Sequence, residues 1–366
     1  MVSEVRAWAV TAPGPIRSRP LRLVERPTPT PGPGELLVRV RACGVCRTDL
    51  HLAEGDLPPR RPATVPGHEA VGEVVGHGPA IAAPTAPAAV ALGTDPAPSG
   101  PSGVIEPPGT RIPLGAQVGI AWLRSSCGAC RQCLRGAENL CPYSTYTGWD
   151  ADGGYAEYAT VPEAYAYRLP DDDDPVRLAP LLCAGIIGYR ALRRAEIPPG
   201  GRLGIWGFGA SAHLSAQLAI AQGADVHVFT RSTAARQLAL DLGAVSAQGT
   251  HDPSPTPLDA AVLFAPVGEI VPAALTALDR GGVLAIAGIH MSDLPPLNYE
   301  RHLFYEREIR SVTANTRADG VEYLNLAARL PPRQAIVEYP IEHADQALAD
   351  LAADQITGVA VLRVSR

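Results

Sequence analysis

The pattern of apolar and polar positions changes along the chain, from short irregular runs to a regular alternation of strands and helices. Apolar runs broken by turn residues predict β-strands at residues 35–41 and 70–76, in the first third. After residue 181, the apolar run at residues 204–206 leads into a glycine turn and a helix that we expect to end near Gln222. A strand-rich part is therefore predicted to precede an α/β part.

Further strands and a helix extend the regular part. Apolar runs predict strands at residues 225–229, 260–264 and 283–286, and helical spacing predicts a helix at residues 234–242. This order is typical of a Rossmann-type, doubly wound parallel sheet. The C-terminal segment returns to a mixed pattern, with a helix predicted at residues 347–351 and a strand at residues 360–364. We expect this segment to rejoin the strand-rich part.

One segment, residues 79–108, fits neither pattern. Ala, Pro, Gly and Ser dominate it, charges are few, and neither helical nor strand periodicity occurs. We interpret it as a surface insertion, with a lid or a subunit contact as the alternative. The length of the chain, 366 residues, suits two domains that each bury a core of their own.

Charge and cysteine content indicate which kinds of ligand the protein can bind. The net charge of -6 gives no broad basic field, so we expect a small-molecule ligand rather than nucleic acid or an anionic membrane. Residues 203–224 carry no charge, but their glycines and polar side chains indicate a buried strand and helix rather than a membrane span. Residues 1–14 lack the pattern of a secretory signal, so we expect a cytoplasmic protein. In that compartment, cysteines bind metals more often than they form disulfides.

Four of the seven cysteines lie in one short segment. Their spacing, Cys-x2-Cys-x2-Cys-x7-Cys, allows four thiolates to surround one tetrahedral ion. We predict a structural zinc site here, with an iron–sulfur cluster as the alternative. The four residues are Cys127, Cys130, Cys133 and Cys141.

A second candidate ligand set is dispersed along the sequence. Cys46, His68 and Cys183 would supply two thiolates and one imidazole. Such a set leaves a fourth position open for water or substrate, as in a catalytic zinc site. Taken singly, Cys183 is typical of a buried core thiol and His68 of a loop residue, so the prediction depends on their convergence.

A nucleotide site is predicted at the glycine turn. Gly207, Gly209 and Ala212 form a Gly-x-Gly-x-x-Ala pattern between the predicted strand and helix, which is typical of dinucleotide binding. The end of the next strand lacks the carboxylate that NAD enzymes use for the adenosine ribose, and polar residues that suit a 2′-phosphate follow instead. They are Thr230, Arg231 and Ser232. The sequence therefore favours NADP as the cofactor. The alternative is that Arg231 is an ordinary solvent-exposed charge and that the cofactor is NAD.

These motifs occur in the order found in the medium-chain, zinc-containing alcohol dehydrogenases, and the chain resembles this family over nearly its whole length apart from the insertion. The Gly67-His68-Glu69 motif, the four-cysteine segment and the glycine turn carry the resemblance. Residues 204–213 and 287–292 are most similar to the branch related to cinnamyl alcohol dehydrogenase. The resemblance implies a GroES-like catalytic domain at residues 1–183 and 315–366, which includes the structural zinc site, and a Rossmann domain at residues 184–314.

The resemblance also implies roles around the catalytic metal. Cys46, His68 and Cys183 would hold the zinc, and Glu69 would lie behind it. Asp49 would orient His68 and raise the basicity of its imidazole. On composition alone, Asp49 would be interpreted as a turn residue.

Further roles concern proton transfer, the cofactor and the substrate. Thr48 would pass the alcohol proton through the cofactor ribose toward His51, which connects the site with solvent. Arg47 would meet the pyrophosphate of the cofactor. Trp122 and Trp149 would line the substrate pocket, although either also fits an ordinary core aromatic.

The implied activity is hydride transfer between a primary alcohol or aldehyde and NADP(H), with one catalytic and one structural zinc per chain. An alcohol donates a hydride readily only after it loses its proton, and zinc lowers the pKa of a bound oxygen by several units. A polyol or sugar dehydrogenase is the nearest alternative, but it commonly has a carboxylate in place of Cys183. A zinc-free quinone reductase would lack both metal sets, and a non-catalytic zinc- or nucleotide-binding protein would show no turnover. We also expect a homodimer or homotetramer.

Overall fold

The computed structural model of the chain describes residues 4–80 and 111–364. Most of the predicted insertion, residues 81–108, lies outside the described residues. The strands are β1 (Glu4–Val10), β2 (Leu21–Pro27), β3 (Glu35–Val45), β4 (Ala70–His77), β5 (Gln117–Ile120), β6 (Leu123–Ser125), β7 (Thr145–Tyr146), β8 (Tyr158–Pro162), β9 (Ala166–Arg168), β10 (Arg202–Trp206), β11 (Asp225–Phe229), β12 (Ser246–Gln248), β13 (Leu258–Leu263), β14 (Leu278–Ile286), β15 (Glu308–Ser311), β16 (Ile336–Pro340) and β17 (Val359–Arg363). The helices are α1 (Arg47–Glu54), α2 (Arg131–Leu134), α3 (Pro175–Leu178), α4 (Ala184–Ala195), α5 (Ala210–Ala221), α6 (Thr233–Asp241), α7 (Val271–Ala277), α8 (Tyr299–His302), α9 (Arg317–Arg329) and α10 (Ala344–Ala352).

The first half of the chain, together with the C-terminal segment, forms a largely antiparallel sheet. Its strand order is β16-β17-β3-β4-β5-β9, and β8 also pairs with β3. The predicted strands at residues 35–41 and 70–76 are confirmed as parts of β3 and β4. Because β17 pairs with β3, the C-terminal segment returns to this sheet as expected. The boundaries that the sequence places at residues 183/184 and 314/315 stay a prediction.

The second sheet has six parallel strands in the order β12-β11-β10-β13-β14-β15. Its central strands, β10, β11, β13 and the second half of β14, are buried on both faces, which explains their continuous apolar runs. In chain order this is the 3-2-1-4-5-6 arrangement of a Rossmann sheet, whose strand order reverses beside β10. Ligands bind such sheets at the carboxyl ends of the strands on either side of that reversal. The predicted fold class, a strand-rich domain joined to a Rossmann sheet, is confirmed.

Some element ends differ from the prediction. Strand β14 begins at Leu278, five residues before the predicted start, and includes Gly281 with φ of 73°. The sequence pattern at this point resembles a turn, since two glycines are adjacent. The strand continues through them because β13 and β14 pair with a register shift between Leu258 and Ala260.

The two sheets share part of one hydrophobic core. A single cluster of buried side chains includes Val71 and Val361 from the first sheet and Ile205 from the second. Within the described residues, the stretch Pro175–Ala195 is long and apolar enough to span a membrane by length and composition, but 61% of it is buried inside the protein. This burial identifies it as a core segment between the two sheets.

Candidate active site

Four side chains that can bind a metal converge between the two sheets. Cys46 follows β3 and begins α1, while His68 and Glu69 directly precede β4. Cys183 lies at the start of α4, on the side of the Rossmann sheet. One ligand atom from each of these residues lies within 4.8 Å of the others. The structure therefore brings together the three ligands predicted from the sequence, although Cys46 and Cys183 are 137 positions apart in the chain.

The chemistry of this group suits zinc. The His68 side chain is 1% exposed, and among residues 4–80 and 111–364 neither ring nitrogen has a hydrogen-bond partner, although Nδ1 lies 3.3 Å from the Asp49 carboxylate. A buried polar atom without a partner is costly, so it indicates a missing ligand. Two thiols and an imidazole around this position are the donors that zinc prefers. The Glu69 carboxylate belongs to the same group rather than lying well behind it, which makes it a further candidate ligand.

Asp49, in the first turn of α1, connects this group to the surrounding backbone. Its Oδ1 lies 3.3 Å from His68 Nδ1 and accepts a hydrogen bond from the Gly67 N–H at 2.9 Å. Its Oδ2 accepts hydrogen bonds from the Cys46 N–H at 3.0 Å and from the Tyr155 hydroxyl at 3.2 Å. A carboxylate held in this way fixes the orientation and tautomer of the imidazole. Tyr155 was not identified from the sequence.

Burial and neighbouring charge shift the pKa values in this group. A hydrogen bond with the Cys183 thiol holds the pKa of Cys46 well below its usual range. Burial lowers the pKa of His68, but the Asp49 carboxylate and the Cys46 sulfur together outweigh it, and the resulting pKa lies well above the usual range. Burial raises the pKa of Tyr155 well above its ordinary value, so its hydroxyl stays protonated and continues to donate to Asp49.

The backbone of β3 passes unusually close to Glu69. A Cβ atom placed on Gly44 would lie 1.9 Å from Glu69 Oε2 and 2.9 Å from Glu69 Cβ. Only a glycine allows the buried carboxylate to occupy this place. Cys43, the preceding residue, is buried and lies outside the ligand group.

The predicted proton-relay residues lie on one helix. Thr48 and His51 are three residues apart on α1, a spacing that places both on one face. Thr48 is 7% exposed, and its Oγ1 lies 3.7 Å from Cys46 Sγ. The His51 Nδ1 lies 2.9 Å from Asp56 Oδ2, and its ring centre is 5.2 Å from that of His290. Asp56 and His290 were not identified from the sequence.

Aromatic rings form one wall beside the ligand group. The ring of Trp122 meets the His68 ring edge-on, with centres 4.9 Å apart. Tyr146 stacks on Trp122 at 4.9 Å, and Trp149 lies in a nearly parallel plane 6.0 Å from Trp122. The Arg60 guanidinium covers the Trp149 ring at 3.7 Å. Trp122 and Trp149, both predicted to line the substrate pocket, are thus part of one stack that begins at His68.

The four-cysteine segment forms a second, separate group. Its ligand atoms lie within 4.8 Å of one another. The Cys130 N–H donates to Cys127 Sγ at 3.3 Å, and the Cys127 N–H donates to Cys141 Sγ at 3.4 Å. Hydrogen bonds from the Ala129 and Cys130 backbone lower the pKa of Cys127 to about 6. Burial has the opposite effect on Cys141 and raises its pKa to about 11. The close grouping of the four sulfurs, with Cys133 as the fourth, is what suits a tetrahedral metal ion.

The glycine turn has the geometry that a dinucleotide site requires. Gly207 follows β10 with φ of 83°, and a Cβ atom there would lie 2.9 Å from the Ala265 backbone nitrogen. Gly209 precedes α5, and a Cβ atom there would meet open space. Ala212 is fully buried on α5. The turn lies at the reversal of strand order, where Rossmann sheets bind nucleotides.

The residues predicted to meet cofactor phosphates have partners in the structure. Thr230 is buried after β11, and Ser232 begins α6, where its Oγ accepts the Ala235 N–H at 3.2 Å. Arg47 and Arg231 each donate a hydrogen bond to the same carboxylate, that of Asp354. The sequence correctly shows no acid at the end of β11, but the fold brings one there from the C-terminal segment.

Comparisons with known proteins give one consistent family. A profile of the Alcohol dehydrogenase GroES-like domain matches residues 32–171. The chain is 56% identical to the probable alcohol dehydrogenase AdhA of Mycobacterium tuberculosis (strain CDC 1551 / Oshkosh), over 99% of this chain and 98% of that protein. It is 35% identical to an alcohol dehydrogenase of Geobacillus stearothermophilus, over 94% of this chain and 95% of the relative. The chain belongs to the zinc-dependent, medium-chain alcohol dehydrogenase family.

A solved structure agrees with this assignment. The cobalt- and zinc-bound thermostable alcohol dehydrogenase from Pyrobaculum aerophilum superposes with a TM-score of 0.82 at 26% identity, over 98% of this chain and 99% of that chain. The predicted family and the predicted enzyme class, an oxidoreductase acting on alcohols, are confirmed. The roles of individual residues stay predictions.

Proposed function

We propose that this alcohol dehydrogenase oxidises primary alcohols and reduces the corresponding aldehydes through a catalytic zinc held by Cys46, His68 and Cys183. The observation that carries the proposal is the convergence of these residues within 4.8 Å, with a buried His68 Nε2 that has no other described partner. When bound, the zinc lowers the pKa of the alcohol hydroxyl and polarises the aldehyde carbonyl.

The residues around the ligands keep them in place. Asp49 fixes the His68 ring, and three donors in turn hold Asp49: the Cys46 and Gly67 backbone N–H groups and the Tyr155 hydroxyl. Because the carboxylate is 2% exposed, water does not compete with these hydrogen bonds. The ligand imidazole therefore needs little reorganisation during turnover.

Protons leave along α1. The Thr48 hydroxyl, on the buried side of the helix, would take the proton of the substrate hydroxyl and at the same time give up its own proton, by way of the cofactor ribose, toward His51. His51, three residues further on, exchanges a proton with solvent, and Asp56 orients its ring through the 2.9 Å contact at Nδ1. The stack that starts at Trp122 excludes water from the opposite side of the site and offers an apolar surface to the carbon chain of the substrate.

The finer assignments concern cofactor and assembly. Gly207, Gly209 and Ala212 would bind the dinucleotide backbone, and Arg231 with its neighbours Thr230 and Ser232 would favour NADP over NAD. The four-cysteine segment would hold a second, structural zinc. We further propose a cytoplasmic homodimer or homotetramer, which light scattering on the purified protein would test.

A spectrophotometric assay tests the proposal. Zinc-replete protein is given ethanol, butanol, benzyl alcohol or cinnamyl alcohol with NADP or NAD, and formation of the reduced nicotinamide is followed. We expect turnover of primary alcohols, with higher kcat/KM for NADP. Bound zinc and nicotinamide without turnover of any alcohol or aldehyde would instead support a binding protein.

A pair of cysteine variants separates the metal ligand from its neighbour. Cys46→Ser is expected to lose the catalytic zinc and the activity, whereas Cys43→Ala, three residues away and outside the ligand group, keeps both. Zinc content is measured by elemental analysis on the same samples as the activity. Equal zinc content and activity in the two variants would contradict the assignment.

A further inference from the structure

One carboxylate lies between the two arginines that the sequence assigns to cofactor phosphates. Arg47 Nη2 donates to Asp354 Oδ1, and Arg231 Nη2 donates to Asp354 Oδ2. The three residues come from α1, the end of β11 and the segment after α10, which are far apart in the sequence. The carboxylate therefore bridges the catalytic part of the chain and the Rossmann sheet.

The fold determines where this carboxylate points. Asp354 follows the end of α10 with φ of 54°, in the left-handed region, and its N–H donates to the Leu351 carbonyl at 3.2 Å. The next N–H, that of Gln355, donates to the Asp350 carbonyl at 2.9 Å. These hydrogen bonds close the C-terminus of α10. They fix the backbone of Asp354 and therefore the position from which its short side chain extends.

The arrangement stays open to a ligand. The Arg231 side chain is 83% exposed, that of Asp354 is 50% exposed and that of Arg47 is 45% exposed. An ion pair with this exposure contributes little to stability. A phosphate group, with more charge and more acceptor oxygens, can displace the carboxylate from either guanidinium.

We propose that Asp354 determines cofactor specificity by competing with the 2′-phosphate of NADP for Arg231. The inference rests on the proposed function, because it requires that the glycine turn binds a nicotinamide dinucleotide. While the carboxylate is present, the arginines carry one compensating negative charge, which weakens the attraction for the additional phosphate of NADP more than the attraction for NAD. Without Asp354, Arg231 would favour NADP over NAD more strongly.

The test measures equilibrium binding rather than turnover. Dissociation constants for NADP and NAD are determined by isothermal titration calorimetry at low ionic strength, on zinc-loaded wild-type protein and variants. Asp354→Asn removes the charge, keeps the shape, and places a residue that tolerates positive φ. Asp350→Asn is the matched control, because Asp350 lies four residues earlier, on α10, and accepts hydrogen bonds from the neutral groups of Tyr339 and Gln346.

We expect Asp354→Asn to lower the ratio of the Kd for NADP to the Kd for NAD about threefold to fivefold. A change of this size corresponds to the loss of one half-exposed ion pair. Asp350→Asn should leave the ratio of the two constants unchanged. In an Arg231→Gln background, Asp354→Asn should lose its selective effect, because the competing pair no longer exists. Thermal melts of each variant verify that the fold is retained.

The following results would contradict the proposal. An unchanged or raised ratio of the NADP constant to the NAD constant in Asp354→Asn overturns the competition, as does a selective effect that persists without Arg231. Wild-type protein that binds neither dinucleotide refutes the proposed function and this inference with it. Wild-type binding with no selective change in the variant refutes the inference alone.

Discussion

Replacing Tyr155 by Phe removes one hydroxyl from the support of the metal site and leaves the packing of the ring. The Tyr155 side chain is fully buried, and its hydroxyl donates to Asp49 Oδ2 at 3.2 Å. Two backbone N–H groups continue to donate to the same carboxylate in the variant. The change therefore removes one of the three hydrogen-bond donors to Asp49 and leaves the other two in place.

The magnitude follows from the geometry. A hydrogen bond to a charged group contributes about 1.5–3 kcal/mol. The long distance and the two remaining donors place Tyr155 at the lower end, about 1.5 kcal/mol of the free energy of unfolding, which corresponds to roughly a tenfold change in an equilibrium constant. Because Asp49 in turn orients His68, we also expect zinc affinity to fall, by up to about tenfold.

Urea unfolding of the zinc-loaded protein and competition with a chelator for zinc measure the two effects. Tyr189→Phe is the matched control, since the Tyr189 hydroxyl also donates to a carboxylate, that of Glu322 at 2.7 Å, but on the surface. The control should change the free energy of unfolding by less than about 0.5 kcal/mol. If Tyr155→Phe behaves like the control in both assays, the argument that this hydroxyl supports the metal site is wrong.

Two further changes test the close packing and the second metal group. Gly44→Ala pushes a methyl group against Glu69, and we expect it to destabilise the protein by about 1–3 kcal/mol and to weaken zinc binding, measured by urea unfolding and chelator competition. Gly76→Ala is its control, because a Cβ atom there would lie 3.4 Å from Leu37, and comparable losses in both variants would disprove the effect of Glu69. Cys133→Ser should lower the zinc content by one ion per chain and reduce the melting temperature, in elemental analysis and calorimetry; unchanged zinc content would show that the four-cysteine group binds none.

The sequence was sufficient where one short segment contains all the relevant information. The spacing of Cys127 to Cys141 and the glycine turn after β10 are local patterns, and the structure gives both the geometry expected of them. The parallel sheet was likewise predictable, because strands buried on both faces appear as continuous apolar runs. Strand β14 was predicted too short because adjacent glycines resemble a turn.

Contacts between distant parts of the chain were not predictable. Tyr155 is 106 residues from Asp49, and Asp354 is 123 residues from Arg231. Each would be interpreted on its own as an ordinary core aromatic or an exposed turn residue. No periodicity or spacing in a single sequence relates such pairs, since only the packing of the two sheets brings them together. The Cys46, His68 and Cys183 set was predicted through a family resemblance for the same reason.

At the junction between β3 and α1, the number of residues matters more than their identity. Cys46 and Arg47 are consecutive, so one peptide unit joins a candidate metal ligand to a candidate phosphate contact. Inserting or deleting a single residue there would rotate both side chains away from their targets at once. Natural and engineered length variation should therefore be absent at this junction and be found in segments such as residues 79–108.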